Sequence, residues 1–184
     1  MKKIKTKIND LFIIENNFHS DNRGWFKELW NKDKEQENKI NIAFSQDNLS
    51  VSKINVIRGL HFQKHPYGQI KYVSVLSGKV LDVVVDLRRN SKTFGQYFSL
   101  ELSGSNHLGL LIPNGFAHGF LSLQENTIFY YKCFGKYSPE YEYTLKWNDT
   151  DINIKWGINK PILSEKDKNG ITLNQYIKSN SINA

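Results

Sequence analysis

The chain lacks most of the features that would place it in the large binding and membrane classes. It has one cysteine, Cys133, so no internal disulfide can form. It has no long apolar run. The opening "MKKIKTKINDLFII" joins a basic stretch to four consecutive apolar residues, too few for a secretory-signal core or a membrane span. These two shortages lead to the expectation of a cytoplasmic protein with no membrane partner. No G-x-G-x-x-G occurs, so nothing points to a dinucleotide cofactor. The net charge is +7, yet the positive residues never gather into one long run, and nucleic acid is not an expected partner. The charge suits a lysine-rich surface or a phosphate-bearing small molecule. No internal repeat, linker or low-complexity tract is visible. Helical signals are confined to "NKDKEQENK" near residue 35 and a turn or two after Pro161.

What is present is a series of short apolar, β-branched and aromatic runs. They include "LFIIEN", "GWFKELW", "NIAFSQ", "INVIRGL", "IKYVSVL", "KVLDVVVDL", "YFSLEL", "LGLLIP", "HGFLSL" and "TIFYYKCF". Turn formers such as "SDNRG", "HPYG", "RRNSKTFG" and "IPNG" separate many of them. Short strands at this spacing predict a sandwich or jelly-roll barrel. With 184 residues, 39% of them hydrophobic, the chain suffices for one substantial core.

Strand alternation singles out polar residues on apolar faces. Lys71 shares its parity with Val73 and Val75, and Tyr131 shares its own with Phe129 and Cys133. Each has an ordinary explanation, since lysine can snorkel past an apolar wall and a core tyrosine can satisfy its hydroxyl. His61, after "RGL", is an ordinary strand histidine when taken alone, and Arg58 is a surface residue or an anion clamp. Gathered around one cavity, the same residues supply a base, an acid, an oxyanion stabiliser and a phosphate clamp.

A metal site is the competing possibility. "IPNGFAHGF" holds Pro113, Gly115 and His118 in a P-x-G-x-x-H arrangement that resembles the second motif of the cupin superfamily. The H-x-H that supplies two metal ligands in many cupins is absent. His61 and His65 are four apart, which on a strand separates them by about 13 Å. Too few ligands converge for a metal site.

The segments "DNRGWFKELW", "SQDNLSVS", "VIRGLHFQ", "GQIKYVSVLSGKVLDVVVDLRRNSKTFG", "LLIPNGFAHGFLSL", "YYKCFGKYSPEYE", "LKWND" and "ILSEKDKNG" run in order from residue 21 to residue 170. Together they resemble the dTDP-4-dehydrorhamnose 3,5-epimerases and relatives acting on nucleotide-linked 4-keto sugars. The resemblance implies an all-β, cupin-type jelly-roll barrel with a few short helices, mainly near the C-terminus. It implies a single epimerase domain over residues 1–184 and chemistry without a metal or cofactor. It also implies a homodimer in which the partner subunit supplies part of the nucleotide site. By motif, His61 matches the catalytic base, Asp167 the acid that orients that histidine and stabilises its charge, Tyr131 the opposing general acid, and Lys71 the lysine beside the developing enolate oxygen. Tyr137 matches a second pocket tyrosine. Arg23, Arg58 and His118 match residues around the diphosphate and sugar, and Gln46 and Asn48 match pocket positions. Phe26 and Glu28 fall where the family holds the thymine base. Two positions depart from the usual pattern: Ile70 precedes Lys71 where glycine is usual, and Trp25 stands where phenylalanine is common.

The expected activity is inversion of C3 and C5 of dTDP-4-dehydro-6-deoxy-D-glucose, giving dTDP-4-dehydro-L-rhamnose for polysaccharide synthesis. The alternative is a 3,5- or C3-only epimerase of a GDP-4-keto-heptose. One ketone at C4 acidifies the hydrogens on both flanking carbons, which is why a base, an opposed acid and a cation at the oxygen are the needed groups. A non-catalytic sugar-nucleotide-binding cupin and a ketoisomerase are the remaining readings.

Overall fold

A computed structural model describes residues 1–181 of the chain. Thirteen strands form among the described residues: β1 (Lys2–Lys5), β2 (Phe12–Glu15), β3 (Phe18–Asp21), β4 (Gly24–Lys27), β5 (Gln46–Ser52), β6 (Ile57–Gln63), β7 (Ile70–Ser77), β8 (Lys79–Asp86), β9 (Tyr97–Ser103), β10 (Leu108–Ile112), β11 (Phe116–Ser122), β12 (Thr127–Phe134) and β13 (Glu142–Thr144). One sheet runs β1-β2-β10-β7-β12-β5, a second runs β13-β6-β11-β8-β9, and β3 pairs only with β4. The two large sheets face each other as the jelly-roll barrel that the sequence predicts.

The pleat sorts the apolar residues into layers. Val73, Val75, Val84, Leu110, Phe120 and Phe129 fill the space between the sheets. Their strand neighbours point outward. Phe62, Val83 and Val85 pack beneath Trp156, Leu173 and Tyr176 of the C-terminal part, while Tyr72 and Leu111 pack beneath Ile40 and Trp30. Strands β8 and β11 are therefore covered on both faces, which is why they read as unbroken apolar runs. Each large side chain so buried contributes about 1.5–3 kcal/mol.

Helix α1 (Lys32–Glu37) falls within "NKDKEQENK" and α2 (Glu165–Lys168) is the turn expected after Pro161, whereas α3 (Leu173–Ser181) is a longer helix than that expectation allowed. Asn31 caps α1 by accepting from the backbone N–H groups of Asp33 and Lys34.

The run "NIAFSQ" does not form a strand until Gln46. Residues 41–45 instead cross the outside of the six-stranded sheet, where Ile42 and Phe44 pack against the cluster around Tyr72. Similarly, "INVIRGL" enters its strand only at Ile57, because Asn55 turns the chain at φ 67°.

One close approach governs the active half of the barrel. A Cβ on Gly59 would lie 2.6 Å from Gly119 Cα, and a Cβ on Gly119 would lie 2.6 Å from the Arg58 carbonyl oxygen. Two glycines facing each other let β6 and β11 meet where the ladder shifts register between His118 and Phe120. That contact seats His61 directly across from His118.

Candidate active site

Where the apolar filling between the sheets stops, a cavity of about 340 Å³ opens. The five-stranded sheet contributes Arg58 and His61 from β6 and His118 from β11. The six-stranded sheet contributes Lys71 from β7, Tyr131 and Cys133 from β12, and Gln46 and Asn48 from β5. The parity argument for Lys71 and Tyr131 thus holds in three dimensions. Base and acid candidates stand on opposite sheets, and the stacked rings of Phe120 and Phe129, 4.2 Å between centroids, separate those sheets beside the cavity.

His61 is held from behind. Its Nε2 lies 2.6 Å from Asp167 Oδ1, with the Asp167 side chain only 4% exposed. Asp167 is placed by α2, whose cap Ser164 accepts from the Asp167 backbone N–H at 3.1 Å and donates its hydroxyl to Oδ2 at 2.8 Å. Burial by itself would push the Asp167 carboxyl up. The hydrogen bond and charge of His61, together with donors from Ser164 and the Gly59 backbone, outweigh it and hold the carboxyl below its ordinary value. An ionised Asp167 can only accept, so the proton between them belongs to Nε2 and the free ring nitrogen of His61 is Nδ1.

The Lys71 ammonium has no hydrogen bond or ion pair among the described residues. Burial pushes its ammonium down, while Cys133 and Glu142 partly restore it. An under-compensated cation in a closed space favours an anion arriving beside it. Burial also pushes the Tyr131 phenol up, with Cys133 adding to the effect, so its proton is retained at neutral pH.

A second histidine–carboxylate pair lies on the same floor: His118 Nε2 is 2.9 Å from Asp82 Oδ2, and Asp82 is fully buried. His61 and His118 each commit Nε2 to a carboxylate. Among the described residues no three His, Cys, Asp or Glu side chains are placed to share a metal ion. Arg58 donates to Ser52 Oγ and the Val51 carbonyl and has no carboxylate partner among the described residues, which leaves its guanidinium open to an anion.

The sequence reading missed one network at the cavity mouth. Glu142 accepts from the Tyr137 hydroxyl at 2.9 Å and pairs with Lys166 at 2.6 Å. Burial would raise the Glu142 carboxyl, but the bonds from Lys166 and Tyr137 bring it below its ordinary value, and the same hydroxyl bond pushes the Tyr137 phenol up. Glu142 lies in "YSPEYE" and Lys166 in "LSEKD", segments that point to Tyr137 and Asp167 alone when taken as sequence. Asp82 was also missed; a single acid inside "KVLDVVVD" was the available signal, since a buried carboxylate requires a partner.

Arg23, Phe26 and Glu28 are not brought to the cavity of their own chain. Arg23 is exposed and pairs with Asp21, Phe26 is 68% exposed, and Glu28 pairs with Lys34 at 2.7 Å. A larger hollow, about 870 Å³, lies on the other face of β6 among Phe62, Lys64, Arg88 and Tyr143. It contains none of the candidate groups, and its Arg88 is neutralised by Asp86 and Asp10.

Comparison with known proteins yields a consistent set. A sequence family described as dTDP-4-dehydrorhamnose 3,5-epimerase matches residues 5–175. The chain is 45% identical over 170 residues to the dTDP-4-dehydrorhamnose 3,5-epimerase of Methanothermobacter thermautotrophicus, covering 90% of this chain and 91% of that protein. The crystal structure of the Elizabethkingia anophelis dTDP-4-dehydrorhamnose 3,5-epimerase is similar with a TM-score of 0.88 at 47% identity, over 95% of this chain and 97% of its own. The Legionella pneumophila dTDP-6-deoxy-D-glucose-3,5-epimerase, solved in complex with dTDP-4-keto-L-rhamnose, gives a TM-score of 0.88 at 42% identity, over 94% and 92% of the two chains.

Proposed function

The chain belongs to the dTDP-4-dehydrorhamnose 3,5-epimerase family, and on that premise we propose that the cavity between its sheets inverts C3 and C5 of dTDP-4-dehydro-6-deoxy-D-glucose to give dTDP-4-dehydro-L-rhamnose. It is an isomerase acting on a dTDP-linked 4-keto sugar. The names of the relatives, and the bound dTDP-4-keto-L-rhamnose of the Legionella enzyme, favour this substrate over a GDP-4-keto-heptose.

The observation that carries the assignment of roles is the convergence of His61, Lys71 and Tyr131 on one cavity from two sheets. His61 removes the hydrogen beside the C4 ketone through the ring nitrogen not bound to Asp167, and Asp167 stabilises the imidazolium that forms. Charge moves to the C4 oxygen, where Lys71 holds it in a water-poor space. Tyr131, facing from the other sheet, returns a proton to the opposite side of the ring, which inverts the centre. Rotation of the same enolate chemistry to the other flank of the ketone serves the second centre. Arg58 and His118 bind the diphosphate and sugar, with Gln46, Asn48 and Tyr137 lining the pocket, so that remote binding energy holds the sugar against the reacting groups.

The working unit is a cytoplasmic homodimer of one-domain chains. Strand β5 is the edge of its sheet and turns Leu49 and Val51, both more than half exposed, away from the cavity. An unpaired apolar edge calls for a cover. A second copy covering it brings Arg23, Phe26 and Glu28, which stand clear of their own cavity, within reach of the nucleotide in the neighbour.

The deciding experiment is incubation with dTDP-4-dehydro-6-deoxy-D-glucose in deuterated buffer, read by mass spectrometry and NMR. Two exchanged and inverted centres in the native protein, with none in His61→Asn that still binds thymidine diphosphate, are expected. Exchange surviving in that variant removes His61 as the base.

A further inference from the structure

Among the described residues the β3–β4 hairpin pairs with no other strand, so side-chain contacts hold it to the barrel. Its register sets Phe18 across from Lys27 and Ser20 across from Trp25, which gathers Phe18, Trp25 and Lys27 on one face and leaves His19 and Phe26 on the other. The first face rests on His107, in the turn between β9 and β10. Phe18 stacks on the imidazole with centroids 3.9 Å apart, and Trp25 meets it edge-on at 5.3 Å. His107 is only 8% exposed, its backbone turns at φ 56°, and its carbonyl accepts from the Asn16 backbone N–H at 3.2 Å. Its Nδ1 is buried without a hydrogen-bond partner among the described residues. Trp25, the departure from the usual phenylalanine, therefore has a contact of its own in this chain.

We propose that His107 is a positioning residue for the nucleotide-reading arm: its neutral ring clamps the β3–β4 hairpin to the barrel, and proton uptake by that ring loosens the clamp and weakens nucleotide binding at acid pH. The clause about binding rests on the reading that this hairpin contributes to the nucleotide site.

A charged ring would place a second N–H at Nδ1, where nothing accepts it, and a second cation beside Lys27. Lys27 is the charged group of β4 that faces the ring, and among the described residues its Nζ has only Ser74 Oγ of β7 within reach, at 3.5 Å. β3 presents Phe18 to the ring and no charge. β7 adds Tyr72, whose phenol is pushed up to about 12 and stays neutral throughout this range. β2 ends on the exposed Glu15, across from Leu108, and is followed directly by the buried, neutral Asn16. Attraction of an imidazolium to the Phe18 and Trp25 rings favours the charged form. Burial first, and Lys27 second, outweigh that attraction and lower the His107 pKa from its ordinary 6.5. The released ring has the ordinary value, so the clamp is at full strength above about 6.5 and weakens as pH falls through that value toward the lower clamped one.

The test uses the full chain at about pH 8 and about pH 5.5. Trp25 emission, taken as native minus Trp25→Phe, reports the clamp without any ligand. Calorimetry with thymidine diphosphate reports the arm. His107→Phe retains a stacked ring that cannot titrate, and His107→Asn suits the left-handed backbone if the phenylalanine variant folds poorly. The native protein should change its Trp25 emission on acidification and lose roughly three- to tenfold more affinity than either variant. The clamp is overturned by unchanged native Trp25 emission, or by an equal acid loss in the variants. Failure of the native protein to bind thymidine diphosphate at the higher pH would instead strike the functional reading, and the emission change would still judge the clamp.

Discussion

Replacing Asp167 with asparagine isolates the contribution of one charge to proton abstraction. The native pair is separated by 2.6 Å, with the carboxylate side chain 4% exposed, so solvent screens it weakly. The change of hydrogen-bond type, from charge-assisted to neutral, is worth about 1–2 kcal/mol. The charge itself stabilises an imidazolium by up to about 4 kcal/mol at an effective dielectric near 20. Asparagine also offers an N–H toward Nε2, which selects the tautomer that protonates Nδ1 and removes the free base. Together these raise the barrier by roughly 2–4 kcal/mol, or about 30- to 1,000-fold in rate. The backbone bond from Asp167 N–H to Ser164 Oγ survives the substitution, so α2 keeps its cap and the fold should persist. The assay is the initial rate of deuterium entry into the 4-keto sugar, with thermal unfolding and thymidine diphosphate binding as controls. A folded, ligand-binding variant that exchanges within about threefold of the native rate would refute the role assigned to the pair.

Tyr131→Phe should separate exchange from inversion: His61 can still remove a hydrogen and return deuterium to the same side, while net epimerisation falls about 10²- to 10⁴-fold, as NMR of the product will show. Lys71→Met should slow both exchange and inversion by about 10²–10³ while thymidine diphosphate affinity in calorimetry changes little; equal loss of binding and rate would make Lys71 a ligand for the ground state instead. Gly119→Ala forces a methyl group to 2.6 Å from the Arg58 carbonyl and should cost more than about 2 kcal/mol in chemical denaturation, with activity lost alongside. The folded carboxyls of Asp167 and Glu142 lie below their ordinary 3.8 and 4.5, so the stability they add is present above those values and is lost as pH falls through the folded ones. Acid-unfolding curves should therefore be shallower in Asp167→Asn and Glu142→Gln than in the native chain.

The architecture was legible wherever alternation met a buried face. Lys71 and Tyr131 were placed correctly because a strand leaves a side chain only two directions, and their apolar neighbours revealed which was inward. His118 came from a turn motif with a fixed geometry. Strands β1 and β3 were not legible, because "KKIK" and "FHSD" carry no alternation, and their pairing is imposed by β2 and β4 across space. The Glu142–Lys166 pair escaped for a related reason. Charges on a short strand and a one-turn helix resemble solvated surface until the fold brings those two elements together over one cavity. Arg23, Phe26 and Glu28 were read from motif similarity alone, and a single chain leaves them outside.

His61 and His118 belong to one wall of the sandwich, Lys71 and Tyr131 to the other, with the Phe120–Phe129 stack wedged between. On the proposed roles, the gap across which a hydrogen is taken and another delivered is the spacing of the two sheets at that point. A trimmed ring in the wedge would narrow it, and a bulkier one would widen it, with every reacting side chain untouched. Turnover in this enzyme doubles as a caliper for how its two walls are spaced.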